Sequence, residues 1–209
     1  MSSASAFLSC LIELRPRLYH LTAVSNVEAI VSGGLLHPAA FLLREAGETR
    51  AMREKRPDHT MIEVAGRRVH LRDQAPLHAG NMTLSDAWTL ADFVAHLNEH
   101  VFLWPGTIAG PSDYGRRHFG RYQGEANAVL VLDTARLIAA NTDPGARLCR
   151  YNSGSPRCSG GKPSPRGKRT FVPPGQFEGG PAAVVEVTFR GSVRLHNALV
   201  VVSTPARFL

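Results

Sequence analysis

The sequence predicts an α+β protein, because strand-like runs and helical patterns are mixed along one chain of 209 residues. The strand-like runs are residues 18–22, 101–105, 128–132 and 182–189, and the third of them (AVLVL) is typical of a buried strand. The helical patterns are residues 24–33, 37–51 and 84–98. A chain of this length can bury a full core, so we expect a single domain over residues 1–209.

The composition is ordinary for a soluble globular protein, with 44% hydrophobic and 20% charged residues. No apolar run is long enough for a membrane span, so we expect no membrane partner. The apolar stretch at residues 1–14 has no basic residue before it and contains Glu13, which favours a short packed helix over a signal peptide. Cys10, Cys149 and Cys158 fit no zinc-binding spacing, and this odd, low count predicts a reducing, cytoplasmic location.

The net charge of +7 predicts a polyanionic partner, and two segments carry much of it. Residues 157–169 hold several basic side chains and no acidic one, while residues 105–126 mix basic with aromatic side chains in a glycine-rich stretch. Such side chains can neutralise phosphates and stack on bases, although either segment can equally be a solvated loop. The candidate nucleic-acid-binding residues are Arg116, Arg117, Arg121, Arg157, Lys162, Arg166, Lys168 and Arg169.

The first strand-like run places an imidazole and a hydroxyl on one face. His20 and Thr22 are two residues apart, so their side chains point to the same side of the strand. We expect Ser25 or Asn26 to cap the following helix and the glycine pair at 33–34 to end it. A polar pair on a strand is more often a solvated face or a structural histidine than a functional site.

Local signals predict the boundaries of the two elements at the centre of the chain. Thr83 or Ser85 is expected to cap the helix at 84–98. Pro105 is expected to end the strand that follows, since proline cannot donate to a neighbouring strand. Phe102 and Trp104 share one face of that strand, where they fill the core or line a pocket.

The late strand at 182–189 carries one acidic side chain among apolar ones. Alternation places Glu186 on one face with Val184 and Thr188. A carboxylate in such a strand is costly unless it is paired or exposed, so Glu186 is a candidate functional residue.

Three features in order resemble the ADP-ribosyltransferase superfamily: Y-H-L-T followed by a helix and G-G-L-L, the V-F-L-W strand, and the late V-E-V strand. The named group that they resemble is the DarT-like DNA ADP-ribosyltransferase toxins. A poorly characterised bacterial branch beside that group is nearer to this chain at R-D-Q-A-P-L, L-N-E-H-V-F and N-S-G-S. The resemblance implies a split core of two small, mostly antiparallel sheets with flanking helices, and a cleft for NAD between them.

The resemblance also implies which residues meet NAD, the donor of ADP-ribose. His20 and Thr22 would hold the nicotinamide ribose and amide, and one aromatic residue of the central strand would stack on the nicotinamide ring. The implied NAD-binding residues are His20, Thr22, Gly34, Leu35, Phe102 and Trp104.

The remaining roles that the resemblance implies fall to an arginine and to the late glutamate. An arginine between residues 53 and 72 would contact phosphates and orient the acceptor, for which a forked, permanently charged group is suited. We favour Arg72, which follows a strand-like run and precedes a proline corner, and then Arg56. Glu186 would be the catalytic glutamate, and the loop at 153–181 would select the acceptor.

These implications lead us to expect an NAD-dependent mono-ADP-ribosyltransferase, a bacterial toxin that modifies a DNA base without a metal. We expect a monomer with an antitoxin or immunity partner. One alternative is an inactive nucleic-acid-binding module of the same fold. Another is an NAD-dependent RNA 2′-phosphotransferase, which relies on several arginines, so Glu186 argues against it. The basic segments argue against a transferase that modifies proteins.

Overall fold

A computed structural model of the protein describes residues 3–85 and 87–209, and these residues form an α+β fold, as the sequence predicts. The α-helices are Ser3–Leu14 (α1), Val24–Gly33 (α2), Ala39–Glu45 (α3), Leu90–Asn98 (α4), Asp113–Arg121 (α5) and Thr134–Ala140 (α6). The strands are Arg17–Ala23 (β1), Leu35–Leu36 (β2), Thr60–Val64 (β3), Arg67–Leu71 (β4), Met82–Leu84 (β5), His100–Thr107 (β6), Gly110–Pro111 (β7), Asn127–Asp133 (β8), Ala146–Cys149 (β9), Ser164–Arg166 (β10), Glu186–Arg190 (β11), Val193–Arg194 (β12) and Leu199–Ser203 (β13).

The central element is an antiparallel sheet of seven strands in the order β13-β8-β1-β6-β11-β9, with β7 paired to β6. Three two-stranded ribbons surround it: β3 with β4, β2 with β12, and the parallel pair β5 with β10. The two small sheets that the sequence led us to expect are therefore joined in one sheet, and β6 is the strand that they share.

The sheet divides at β6, because its two neighbours pair with different halves of that strand. On one edge, β1 pairs with β6 only from Arg17 to Tyr19, which lies opposite Trp104. On the other edge, β11 pairs with the first half of β6, and Val187 lies opposite Leu103. Beyond Tyr19, β1 continues beside β8 alone. We call this parting of β1 from β6 the fork.

The two faces of the sheet bury separate apolar clusters under different helices. One face packs around Leu18, Leu103 and Val187 and is covered by α1 and α6, which contribute Leu11 and Leu137. The opposite face carries two clusters. α5 covers the cluster around Tyr19 and Trp104, and α4 covers the cluster around Phe102 and Cys149. The fork lies where these layers meet. Among the described residues, none of the helices has the length and apolarity that crossing a lipid bilayer requires.

Tertiary contacts move several element boundaries from their predicted positions. The helix expected over 84–98 starts at Leu90, because residues 82–84 form β5 instead; Asp86, also in that range, lies outside the described residues. The helix expected over 37–51 ends at Glu45. The strand does not end at Pro105, since that proline faces an edge where the pairing with β11 stops at Leu103 and the pairing with β7 begins only at Gly106.

The helix caps also differ from the sequence-based expectation. The residue before α2 is Ala23, which forms no side-chain cap. The Asn26 side chain bonds the backbone of His70 instead. Its Nδ2 donates to the His70 carbonyl (2.8 Å), and its Oδ1 accepts from the His70 amide (3.0 Å). Gly34 does end α2 in the left-handed conformation, with φ 63°. Helix α4 is capped by Thr89, which forms a reciprocal capping box with Asp92.

We expect Thr89→Ala to lower the free energy of unfolding by about 1 kcal/mol, because the Asp92 amide loses its acceptor and the Asp92 carboxylate loses the hydroxyl that it bonds. Urea denaturation monitored by circular dichroism measures the change. The matched control is Thr83→Ala, which removes the same atoms from an exposed position on β5 and should change stability by less than about 0.5 kcal/mol. Equal losses in the two variants would contradict the assignment of Thr89 as the cap.

Candidate functional site

The side chain of His20 occupies the fork. Its Nδ1 lies 2.9 Å from the carbonyl oxygen of Phe102, a group that a β1 amide would otherwise bond if the two strands continued together. Because a carbonyl oxygen only accepts, Nδ1 carries the proton and Nε2 is left as an acceptor. Burial lowers the pKa of His20, and the nearby charge of Arg72 lowers it further, so the ring is neutral. Thr22 is buried on the same strand and accepts from Asn26 (3.3 Å).

Arg72 belongs to the same cluster as His20. Its guanidinium donates to Asn127 (2.8 Å), lies 3.4 Å from a carboxylate oxygen of Glu125 and stacks over the Tyr122 ring at 4.2 Å. These contacts fix the arginine against the segment between α5 and β8. Burial lowers its pKa, yet an arginine stays charged at neutral pH.

His118 on α5 also faces this cluster, and sequence reasoning did not identify it. Its ring packs against Trp104 and Tyr122 with centroid distances of 5.2 Å in both cases. Burial, aided by the charge of Arg72, lowers the pKa of His118 to about 3. The alternation of basic and aromatic residues at 114–122 was the only available signal.

Arg56 does not face the cluster, but it supports Arg72. Its Nε donates to the Arg72 carbonyl oxygen (3.1 Å), and its Nη1 donates to Asn98 on α4 (3.0 Å). Burial lowers the pKa of Arg56 to about 10. Arg56 therefore connects the residue that follows β4, Arg72, to the end of α4.

Gly34 ends α2, and Leu35 begins β2. The Gly34 carbonyl accepts from the Leu195 amide (2.8 Å), and Leu35 pairs with Arg194. Both residues therefore contact β12 and the residue that follows it.

Glu186 is the first residue of β11 and is 2% exposed. Its Oε1 accepts from the Ser153 amide (3.1 Å), whereas Oε2 is buried with no hydrogen-bond partner among the described residues. The hydroxyls of Ser153 and Thr188 are also buried and have no hydrogen-bond partner within residues 3–85 and 87–209. Burial raises the pKa of Glu186 to about 7, although Ser153 and Arg166 oppose the shift.

Arg166 was predicted to contact nucleic acid, and its burial contradicts that prediction. The residue is 3% exposed, donates to Asn152 (3.0 Å) and Ser164 (2.6 Å), and stacks over the Tyr151 ring at 4.5 Å. The guanidinium supplies a donor to the Asn152 carbonyl in the turn that follows β9. Arg166 thus holds the turn whose Ser153 amide contacts Glu186.

His20 and Glu186 lie on opposite edges of β6. Tyr19 is opposite Trp104 on one edge, and the pairing of Val187 with Leu103 puts Glu186 level with Trp104 on the other. The two residues are therefore about two interstrand spacings apart, roughly 10 Å along the sheet. Phe102 and Trp104 share a face as expected, and their rings pack on Phe171 (5.7 Å) and His118 (5.2 Å).

The other basic candidates lie on the surface in two groups. On α5, Arg116 pairs with Asp113 (2.6 Å) and Arg117 stacks over Tyr114 at 4.8 Å. In the loop after β9, Arg169 lies 3.5 Å from Glu178. The exposed members are Arg116, Arg117, Arg121, Arg157, Lys162, Lys168 and Arg169. In the described part of the chain, no three His, Cys, Asp or Glu side chains converge in a way that could hold a metal ion.

The fold and this site define an α+β protein whose sheet forks beside a half-buried histidine and a buried carboxylate. The chain belongs to a family of unknown function, DUF7002, whose model matches residues 16–200. No curated protein matches the chain, and no solved structure does. This match assigns the chain to a family of unknown function and gives it no activity.

Proposed function

We propose that this protein is an NAD-dependent mono-ADP-ribosyltransferase that modifies nucleic acid, with a DNA base as the acceptor. The observation that carries the proposal is Glu186, a carboxylate buried in the sheet with one oxygen unpaired. Native proteins rarely leave a buried polar atom without a partner, and such exceptions concentrate at functional sites. Here the unpaired oxygen lies level with the fork, where the resemblance to ADP-ribosyltransferases places NAD.

The groups around the fork fit a dinucleotide. The Nε2 atom of His20 is an acceptor for a ribose hydroxyl, and the edge of β6 before Trp104, residues 100–103, has no β1 partner in the described part of the chain. Arg72 brings a permanent positive charge to the same cluster and suits a phosphate group. Trp104 offers an aromatic ring on the adjoining sheet face. These residues would hold NAD without a metal ion.

NAD supplies the ADP-ribose group and, in its positively charged nicotinamide, the leaving group. As a carboxylate, Glu186 accepts a hydrogen bond from a ribose hydroxyl and stabilises the positive charge that develops on the ribose carbon. It also receives the proton that the acceptor nitrogen loses when the new bond to that carbon forms. The pKa of about 7 suits this role, since the group can gain and lose a proton near neutral pH.

The surface charge supports a nucleic-acid acceptor. The exposed arginines of α5 lie on the helix whose His118 faces Arg72, and the loop after β9 carries the second basic group. The cations of α5 and of the loop after β9 can bind successive phosphates of a nucleic-acid strand that passes the fork.

A nucleic-acid-binding module without transferase activity is the second candidate, and the near-complete burial of Glu186 favours it. A carboxylate that is 2% exposed cannot meet a substrate unless the turn at Ser153 moves. In that function the basic surface would bind nucleic acid, and Glu186 would be a structural residue.

Labelled NAD distinguishes these two functions. The purified protein is incubated with NAD carrying label in the adenosine half and, separately, with single-stranded DNA, duplex DNA, RNA and a protein extract. We expect label on DNA and stoichiometric release of nicotinamide. Intact NAD in every reaction, with salt-sensitive binding of DNA, would reject the transferase and support the binding module.

A further inference from the structure

A cavity lies on the sheet face that α4 covers, at the far end of β11 from Glu186. Its volume is about 460 Å³, within the range of roughly 300–1,000 Å³ that is common for small-molecule sites. Arg190, on its wall, is the last residue of β11, whereas Glu186 is the first. A strand of that length rises about 13 Å, so the cavity is separate from Glu186.

Flat aromatic groups from three parts of the chain line this cavity. The ring of His96 on α4 lies 5.1 Å from Trp88 and 5.1 Å from Phe171, between centroids. His100, at the start of β6, lies 4.5 Å from Phe171. Rings that converge at these distances offer faces and edges on which another planar group can stack.

One polar atom within the aromatic group lacks a partner. His100 uses its Nδ1 to bond the His96 carbonyl oxygen (2.8 Å). The Nε2 atom of His96 is buried and has no hydrogen-bond partner among the described residues. Because that nitrogen is shielded from solvent, a bound molecule with a polar edge would pair with it only after the neighbouring rings shift.

The walls of the cavity carry an excess of positive charge. Both acidic residues are engaged: Asp92 pairs with Arg53 (2.5 Å) and Glu99 pairs with Arg190 (3.1 Å). Lys168 adds a further cation to the wall. Arg147 on β9 is also part of it, and its guanidinium has no ion pair or side-chain hydrogen bond in the described ranges 3–85 and 87–209. The cavity therefore combines planar walls with a cation that is available to an anion.

We propose that this cavity binds a nucleotide, with the base against the partly exposed rings of Trp88 and His96 and the phosphate on Arg147. Planar walls select a base over an aliphatic or peptide group, and the cationic side selects its phosphate. A free nucleotide and one unit of a single strand present this same chemistry. The site goes beyond the proposed transferase reaction and does not depend on it, because it lies apart from Glu186 and His20.

Intrinsic fluorescence tests the site directly. In a Trp104→Phe background, Trp88 is the only tryptophan of the chain. Thymidine 5′-monophosphate and a short oligothymidylate are titrated in separate arms, without NAD. We expect at least one of them to quench the fluorescence of Trp88. Quenching by the mononucleotide would identify a free nucleotide as sufficient, and quenching by the oligonucleotide alone would identify a strand.

Calorimetric titration with the same two probes then locates the binding. Trp88→Ala and Arg147→Ala should each weaken it about tenfold, as is usual when a stacked ring or a phosphate contact is lost. The control Arg194→Ala removes an exposed arginine on β12 and should leave the affinity unchanged. The site is refuted if neither probe quenches Trp88, or if both variants bind like the parent protein. Neither result depends on transferase activity.

Discussion

We expect Glu186→Gln to lower the rate of ADP-ribose transfer by a factor of about 10² to 10⁴, the usual contribution of a positioned acid–base group. The amide keeps the size of the side chain and can still accept from the Ser153 amide through its oxygen. It cannot take a proton from the acceptor or carry negative charge beside the ribose. Single-turnover transfer of labelled ADP-ribose to DNA measures the effect.

The same substitution should raise stability above neutral pH, which separates function from folding. Burial raises the pKa of Glu186 from 4.5 to about 7, which corresponds to roughly 3 kcal/mol against the ionised form. This cost is absent below pH 4.5, grows as pH rises, and is complete above about pH 7. Thermal melting should therefore show Glu186→Gln gaining stability over the parent between pH 5 and 8, while the transfer rate of the parent protein rises toward pH 7.

Glu178→Gln is the matched control, since it makes the same change at an exposed position in the loop before β11. It should alter neither the transfer rate nor the pH dependence of stability. A Glu186→Gln variant that transfers ADP-ribose as fast as the parent would exclude Glu186 as the catalyst. Equal melting temperatures across the pH range would instead show that the carboxylate is not held in its buried position.

Local patterns were sufficient for most elements but not for their ends. The run AVLVL and the glycine at position 34 carry strong signals, and both lie where they were expected, in β8 and at the end of α2. The start of α4 was placed too early because residues 82–84 pair with β10, a contact from far along the chain. The end of β6 was also predicted too early, at Pro105. The strand continues through this proline because the neighbouring edge is unpaired there.

Individual site residues were predictable from side-chain type and alternation, whereas their surroundings were not. A carboxylate in an apolar strand singled out Glu186, and its burial is as costly as that pattern implies. The burial of Arg166 could not be read from a basic segment, because it depends on carbonyl groups of a turn formed elsewhere. His118 escaped notice because it reaches Arg72 only through the packing of α5 on the sheet.

We expect His20→Ala to weaken NAD binding by about 10- to 100-fold and to destabilise the fold by roughly 1–3 kcal/mol, the cost of a buried group left without its partner. The imidazole has two functions at the fork. Its Nδ1–H satisfies the Phe102 carbonyl, and its Nε2 is the acceptor for a ribose hydroxyl. Burial lowers the pKa of His20 below its ordinary 6.5, so the binding should not change between pH 7 and 8 on account of His20. Calorimetric titration with NAD and urea denaturation measure the two effects.

His20→Asn separates these two functions, because an asparagine amide can donate to the Phe102 carbonyl but presents no ring acceptor at the position of Nε2. We expect it to recover much of the lost stability while NAD binding stays weak. His78→Ala, at an exposed position before β5, should change neither quantity. If His20→Asn binds NAD like the parent protein, the histidine only joins the strands at the fork, and NAD must be held by other residues.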